Sequence, residues 1–362
     1  MNILYLLFSF TTGGTERMVT DICAQMLQRD HNVHLYIVND HYDQSMLEGL
    51  PSGVQVHLQN RPIGGGSKIS TLLGVARYIR KNHIQIVHCQ SVNVPELLLL
   101  KPILFPKVKI LYTIHSTDSY SQLSSRKIAF RNKLCHRLIA VSEGVRKEML
   151  RCGAAPDKLL TIHNAIDPNR FPSPADKPFD KTAVVIGNVA RIAPSVKGQD
   201  ILIDALNIIL PQHPSLQCYF AGAVTTAQKE AAQALQDRIA AYNLQEQVHF
   251  LGNVEKTPEF LQTLDVFVLP SRSEAFGISL VEAMVLGIPC IACDLEGPKE
   301  VLQNGDLGLL FQTGDPQDLA AKLLQLLSDY ETYKEKALQQ ADAVRKQYSI
   351  VHICDKLEEI MI

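Results

Sequence analysis

The chain has 362 residues, more than a single hydrophobic core usually supports, so two domains are expected. Charged residues make up 20% of an ordinary composition with a net charge of −2, which excludes a disordered or low-complexity chain. The charge is unevenly divided: residues 1–170 carry 20 Lys/Arg against 12 Asp/Glu, and residues 171–362 carry 15 against 25. The first half is therefore suited to an anionic partner.

Residues 1–10 are apolar but lack a basic leading segment and run straight into Thr11-Thr12-Gly13-Gly14. They read as a first strand, Ile3–Phe8, rather than a secretion signal. Further strands are expected at Val33–Val38, Val54–Leu58, Ile84–Cys89, Lys109–His115 and Arg137–Val141. Helices fall between them at Glu16–Gln28, Ser70–Lys81, Pro95–Leu100 and Gly144–Arg151. A polar stretch with four prolines, residues 166–182, reads as a linker between domains 1–165 and 183–346. The second half restarts the alternation with strands Ala183–Val189, Gln217–Ala221, Val248–Leu251, Leu264–Leu269, Cys290–Cys293 and Leu309–Phe311. Its helices are expected at Gln199–Leu210, Thr226–Tyr242, Thr257–Gln262, 278–286, 316–327 and 331–346, with a last one in 347–362. Strict strand–helix alternation implies α/β domains with parallel sheets covered by helices on both faces. Two doubly wound domains facing a cleft is the expected architecture, with ligands at the carboxyl ends of strands.

Several chemistries are set aside. Cys290 and Cys293 form the one C-x-x-C, but they lie in an apolar strand with no second pair or histidine cluster, so no zinc site is expected. Scattered thiols and no leader point to a reducing cytoplasm. No G-x-G-x-x-G follows a strand, which argues against a two-domain dehydrogenase. No apolar run is long enough to span a membrane. Nucleic acid is not an expected partner, because no aromatic platform accompanies the basic residues.

The informative segment is Glu274-Ala-Phe-Gly-Ile-Ser-Leu-Val-Glu282, between a buried strand ended by Pro270 and a helix ended by Gly287. The start of a helix attracts anions, and Gly277 lets a ligand approach the backbone. Glu274 and Glu282 flank that position, where carboxylates can accept hydrogen bonds from sugar or ribose hydroxyls. Arg191 and Lys197 follow the strand 183–189 and could clamp a diphosphate, the arginine through its planar fork. Gly13-Gly14-Thr15-Glu16-Arg17 follows strand one and opens a helix.

This run resembles the Glu-(seven residues)-Glu signature of glycosyltransferase family 4, retaining enzymes with the GT-B fold. The resemblance implies that Glu274 contacts the donor sugar and Glu282 the nucleotide ribose. It places the backbone at Phe276, Gly277 and Ile278 against the diphosphate, with Arg191 and Lys197 neutralising the leaving group. It also puts Gly13 and Gly14 across the cleft from the donor, and His115, which ends a strand, beside the donor sugar near the reaction centre. Asn253 and Val254, after the strand 248–251, resemble the family's base-binding loop. Asn164, in His163-Asn164-Ala165-Ile166-Asp167, resembles its hinge, and Gly297-Pro298 with Glu300 a structural Gly-x-x-Glu. In the family the last helix usually packs back on the first domain.

The expected activity is a metal-independent, retaining transfer of a hexose from a nucleotide-diphosphate sugar, UDP-linked before GDP-linked, needing no cofactor. No Asp-x-Asp occurs to hold a divalent ion, so cations of the protein must meet the diphosphate charge. The acceptor would be a saccharide or lipid-linked saccharide in bacterial surface-polysaccharide assembly (lipopolysaccharide, capsule or O-antigen). A nucleotide-sugar epimerase and a non-catalytic nucleotide-sugar binding protein are the alternatives. Basic residues Arg126, Lys127, Arg131, Lys133 and Arg137, with no acid among them, read as an amphipathic helix able to lie weakly on the inner membrane surface.

Overall fold

The computed structural model describes residues 1–174, 178–180 and 182–362; the expected linker therefore lies partly outside the described residues, at positions 175–177 and 181. The chain divides into two compact units, Met1–Ile166 with Ser349–Ile362, and Asp167–Tyr348.

The first unit carries a parallel seven-stranded sheet. Its strands are β1 (Asn2–Leu7), β2 (Asn32–Asn39), β3 (Gln55–Arg61), β4 (Ile86–Cys89), β5 (Lys109–Ile114), β6 (Arg137–Ala140) and β7 (Leu159–Thr161). They run in the order β3-β2-β1-β4-β5-β6-β7. Strands buried on both faces read as unbroken apolar runs, and β1 is of that kind, with Ile3 to Leu6 fully enclosed. The three-residue β7 escaped the sequence because so short a run has no periodicity to read. The helix expected at Pro95–Leu100 is instead a 3-10 turn, Val94–Leu98, followed by a separate short helix, Lys101–Leu104. Pro102 cannot donate a backbone hydrogen bond, so it sits in the first turn of a new helix rather than inside one. The last helix, Ile350–Met361, packs on the helix Gly14–Gln28 of the same unit through Ile353, Cys354 and Leu357. Arg29 fastens it by pairing with Glu358 and, at 2.7 Å, with Asp355, while His31 reaches Glu358 at 2.7 Å.

The second unit has a parallel six-stranded sheet: β8 (Val185–Val189), β9 (Gln217–Ala221), β10 (Val248–Gly252), β11 (Val266–Leu269), β12 (Cys290–Cys293) and β13 (Leu309–Phe311), ordered β10-β9-β8-β11-β12-β13. Its core joins Ile186, Phe220, Val266 and Ile291 to the helices Gln199–Ile209 and Pro316–Ser328.

Both sheets reverse their winding once, the first between β1 and β4 and the second between β8 and β11. At such a switch point the flanking loops diverge and leave a crevice at the strand ends, the usual ligand position in doubly wound sheets.

The basic stretch 125–137 does not form one solvated face. The helix ends at Leu134, and Arg137 already belongs to β6. Arg131 is fully enclosed; it pairs with Glu96 at 3.0 Å, donates to the carbonyls of Val92 and Lys127, and lies over the Tyr112 ring. A charge so deep must be paired, and pairing turns it away from any membrane.

Candidate active site

In the second unit, β8 and β11 are neighbours, paired through Ile186 with Val266 and Gly187 with Phe267. The loops that leave them are held together by several contacts. After β8, the buried Gln199 donates from Nε2 to the Arg191 carbonyl at 3.0 Å, and its Oε1 accepts from the Ala193 amide at 3.4 Å. Residues Pro194–Lys197 make one helical turn, closed by Gly198 in the left-handed conformation (φ 65°, ψ 25°). A β-carbon on Gly198 would lie 2.8 Å from the carbonyl carbon of Pro270, so only glycine permits that approach. The amides of Arg272 and Ser273 donate to the Val196 carbonyl at 2.8 and 3.1 Å. The Arg272 guanidinium grips the Asp200 carboxylate at 2.6 and 2.8 Å and also bonds the Pro194 carbonyl.

This clamp brings Lys197 Nζ to 2.7 Å from Glu274 Oε2, an oxygen that also faces the Ser271 hydroxyl at 3.4 Å. Both side chains are largely enclosed, with 24% and 14% of their surface exposed, so the pair is screened less than a surface one. Arg191, from the same loop as Lys197, is exposed.

The loop after β11 ends at Gly277 (φ 100°, ψ 62°), which begins the seven-residue helix Ile278–Met284. Gly287, at φ 66°, closes that segment. Phe276 is buried and meets Tyr348 edge-on at 5.4 Å, so its ring belongs to the core. Gly297 backs this loop: a β-carbon there would lie 2.6 Å from the Ala275 carbonyl carbon and 2.8 Å from the Phe276 nitrogen. Ile278 and Glu282 are half-buried on the helix, one turn apart. Asn253 and Val254 follow β10, two strands from β8, with Asn253 exposed.

In the first unit, Gly13 caps the helix Gly14–Gln28 in an extended conformation (φ −170°) that any residue can adopt. A β-carbon there would meet the Glu16 carboxylate at 2.6 Å, but that is the movable end of a flexible side chain, so neither backbone angle nor packing demands glycine at this position. His115 directly follows β5, and its Nε2 lies 2.8 Å from Oε1 of Gln90, which follows β4. Beneath them His88 Nε2 lies 2.7 Å from the Thr113 hydroxyl and the His88 ring 5.5 Å from that of Tyr5. Asn164 joins the same cluster, which borders a cavity of about 20 Å³, room for one water. Ala165 has no positive φ, so alanine meets no backbone obstacle at that position. Burial pushes the His115 imidazole down to about 4, with the Asn164 side chain opposing. Burial, then His115, pushes His88 down to about 3. Both rings are therefore neutral near pH 7 and act through hydrogen bonds rather than as cations.

Within the second unit the structure thus gathers Lys197, Glu274 and Gly277 at one switch point; within the first it groups His115 with Asn164. Sequence reasoning missed Gln199, Gln90 and the Arg272–Asp200 clamp. Their one sequence signal is a polar residue next to a strand end or helix start, too common to single out. Among the described residues, no cluster of three or more His, Cys, Asp or Glu is arranged to hold a metal ion.

Two family models match end to end. One, for glycosyltransferase family 4, covers residues 12–170; the other, for glycosyl transferases group 1, covers residues 169–346. The chain belongs to glycosyltransferase family 4. It is 23% identical to N-acetyl-alpha-D-glucosaminyl L-malate synthase of Bacillus anthracis, over 97% of this chain and 94% of that protein. It is 28% identical to the lipopolysaccharide core biosynthesis mannosyltransferase LpsB of Rhizobium meliloti, over 62% of this chain and 64% of that protein. The crystal structure of HepE from Anabaena in complex with UDP superposes with a TM-score of 0.84 at 22% identity, covering 99% of both chains. The two sheets are accordingly those of the GT-B fold. In a doubly wound sheet the switch point between β8 and β11 is where a ligand crevice is to be sought.

Proposed function

We propose that the chain is a retaining, metal-independent hexosyltransferase that takes its sugar from a nucleotide diphosphate, UDP before GDP. The observation that carries this reading is the Lys197–Glu274 pair at the β8–β11 switch point. An ammonium has three donors, so one bond to Glu274 leaves two for phosphate oxygens. Arg191, exposed on the same loop, adds a second cation, and the backbone at Gly277 and Ile278 a close approach. Glu274 accepts hydrogen bonds from the sugar and Glu282 from the ribose, while Asn253 and Val254 border the base. Residues 1–165 are the acceptor-side domain, and within it Gly13, Gly14 and neutral His115 serve the donor and its sugar hydroxyls.

In the reaction, the bond between the anomeric carbon and the diphosphate oxygen breaks as Arg191 and Lys197 take up its charge. The acceptor oxygen bonds the anomeric carbon on the same face, and its proton passes to the leaving phosphate oxygen. Nucleoside diphosphate and the glycosylated acceptor leave, and atoms and charge balance without a divalent ion. Likeness to a lipopolysaccharide core biosynthesis mannosyltransferase supports a hexose and a role in surface-polysaccharide assembly. Complexes of HepE with UDP and with UDP-glucose support uracil as the base.

The test is calorimetric titration with UDP, GDP and ADP, followed by transfer assays with the sugars of the nucleotide that binds. UDP is expected to bind, turnover to survive excess EDTA, and the NMR coupling of the product's anomeric proton to match the donor. Lys197→Ala should lower kcat/KM by about 10²–10³, as for loss of one donor to a developing anion. Donor epimerised without acceptor would establish the epimerase, and binding with no turnover the non-catalytic reading. Full activity in both Lys197→Ala and Glu274→Gln would refute the site.

A further inference from the structure

We infer that the face built by the helix Lys68–Lys81 and the segment 99–107 docks on an anionic lipid bilayer. Of the twelve large aliphatic side chains exposed among the described residues, five lie between positions 63 and 103: Ile63, Ile69, Leu73, Leu99 and Ile103. Ile69 and Ile103 are 72% and 78% exposed, unusual for isoleucine on a water-facing helix. Ile69 and Leu73 lie one turn apart on the helix Lys68–Lys81, and the same stripe continues through Arg77 and Arg80. Leu73, Arg77 and Arg80 line a groove of about 430 Å³ whose opposite wall is Leu104. That residue ends the short helix that carries Ile103.

Charge selects the occupant. From 62 to 107 the chain has six cations, Lys68, Arg77, Arg80, Lys81, Lys101 and Lys107, and a single acid, Glu96. That acid is engaged by Arg131 and Lys127, so it does not neutralise the face. A protein partner's acidic patch would match the cations, but protruding isoleucines on two separate elements need a deformable apolar phase rather than one fixed pocket. A bilayer with anionic headgroups supplies both: side chains enter the acyl boundary while lysine and arginine reach phosphates. The face differs from the helix Ser125–Leu134, whose Arg131 turns inward. The inference deepens the proposed function, since a lipid-linked acceptor is met at such a surface, but its evidence is independent of the donor residues.

The experiment is co-sedimentation of the full chain with vesicles of phosphatidylglycerol and phosphatidylcholine, or of phosphatidylcholine alone, at low and high salt. Wild type is expected to partition onto the anionic vesicles and to be released by salt. Each basic residue near such a surface changes partitioning about fivefold, so Arg77→Glu with Arg80→Glu should weaken it at least about 30-fold. Ile69→Ser with Ile103→Ser should weaken it as well, whereas Arg126→Glu with Lys133→Glu should leave it near wild type. Failure of wild type to bind anionic vesicles overturns the inference. Insensitivity to the isoleucine substitutions also overturns it, because the face would then be a generic polyanion site. UDP binding measured calorimetrically on the same variants keeps the two readings apart: it should be unchanged in all of them, and its absence in wild type would count against the donor site alone.

Discussion

Gly297 makes the sharpest test of how the loop proposed to meet the donor is held. It lies in the helix Glu296–Val301, behind Ala275 and Phe276, with no need for an unusual backbone angle. In Gly297→Ala the new methyl would start 2.6 and 2.8 Å from two loop backbone atoms. Ordinary contact is about 3.4 Å or more and the Ala275 carbonyl oxygen lies closer still, so helix and loop must part by roughly 1 Å, a strain of the overpacking kind. That costs about 1–3 kcal/mol, offset by up to about 1 kcal/mol from alanine's better helix propensity. For a unit of this size the melting temperature should fall by about 2–8 °C. The larger effect is on activity, because the displaced loop carries Glu274, and a shift near 1 Å can cost about 10²-fold in rate. The matched control is Val301→Ala, in the same helix and fully buried, which leaves a small cavity but no push on the loop. Both variants should lose comparable stability by calorimetry, yet only Gly297→Ala should lose kcat/KM, by ten- to a hundredfold with the preferred donor. If the two behave alike per folded molecule, the helix merely stabilises the unit and the positioning argument is wrong.

Arg131→Ala would leave Glu96 with Lys127 alone and the Val92 carbonyl with the Tyr112 hydroxyl alone, and should cost about 3 kcal/mol in urea unfolding, the lower end for breaking a buried pair. Arg131→Lys should recover little, since an ammonium cannot serve both sites through one planar fork. The buried imidazole of His88, pushed down to about 3, takes up its proton more readily in the unfolded chain. The unfolded state then binds more protons below about pH 6.5, so stability falls as pH drops from there toward 3. Comparing urea unfolding of wild type and His88→Gln should show about 2 kcal/mol less change in the variant over the whole range from pH 7 to 5, the slope steepening toward about 1.4 kcal/mol per pH unit only near pH 5. Parallel curves would mean that His88 is already protonated or solvated in the folded protein.

Most of the second sheet was legible in the chain. Gln217–Ala221, Cys290–Cys293 and Leu309–Phe311 fall where the apolar runs predict, because parallel strands buried on both faces are written as uninterrupted aliphatic stretches. Glycine and proline marked Gly277 and Gly287 as segment boundaries for an equally local reason, their backbone angles. Charge was read less well. The cations at 126–137 looked like one face, yet Arg131 turns inward, since its partner Glu96 lies 35 residues away in sequence. The apolar and basic residues at 63–107 looked like ordinary helix and loop until folding left their isoleucines uncovered.

The sequence by itself determined the two-unit α/β plan and the positions of Glu274, Glu282, Arg191 and Lys197, because strand burial, turn chemistry and residue spacing are local properties. Only the tertiary structure decided that Lys197 meets Glu274, that Gln199 and Arg272 brace their loops, and that Gly297 supports Phe276 from behind. Each of those contacts joins segments that strand order alone brings together, and strand order arises from packing a whole sheet rather than from any window of residues.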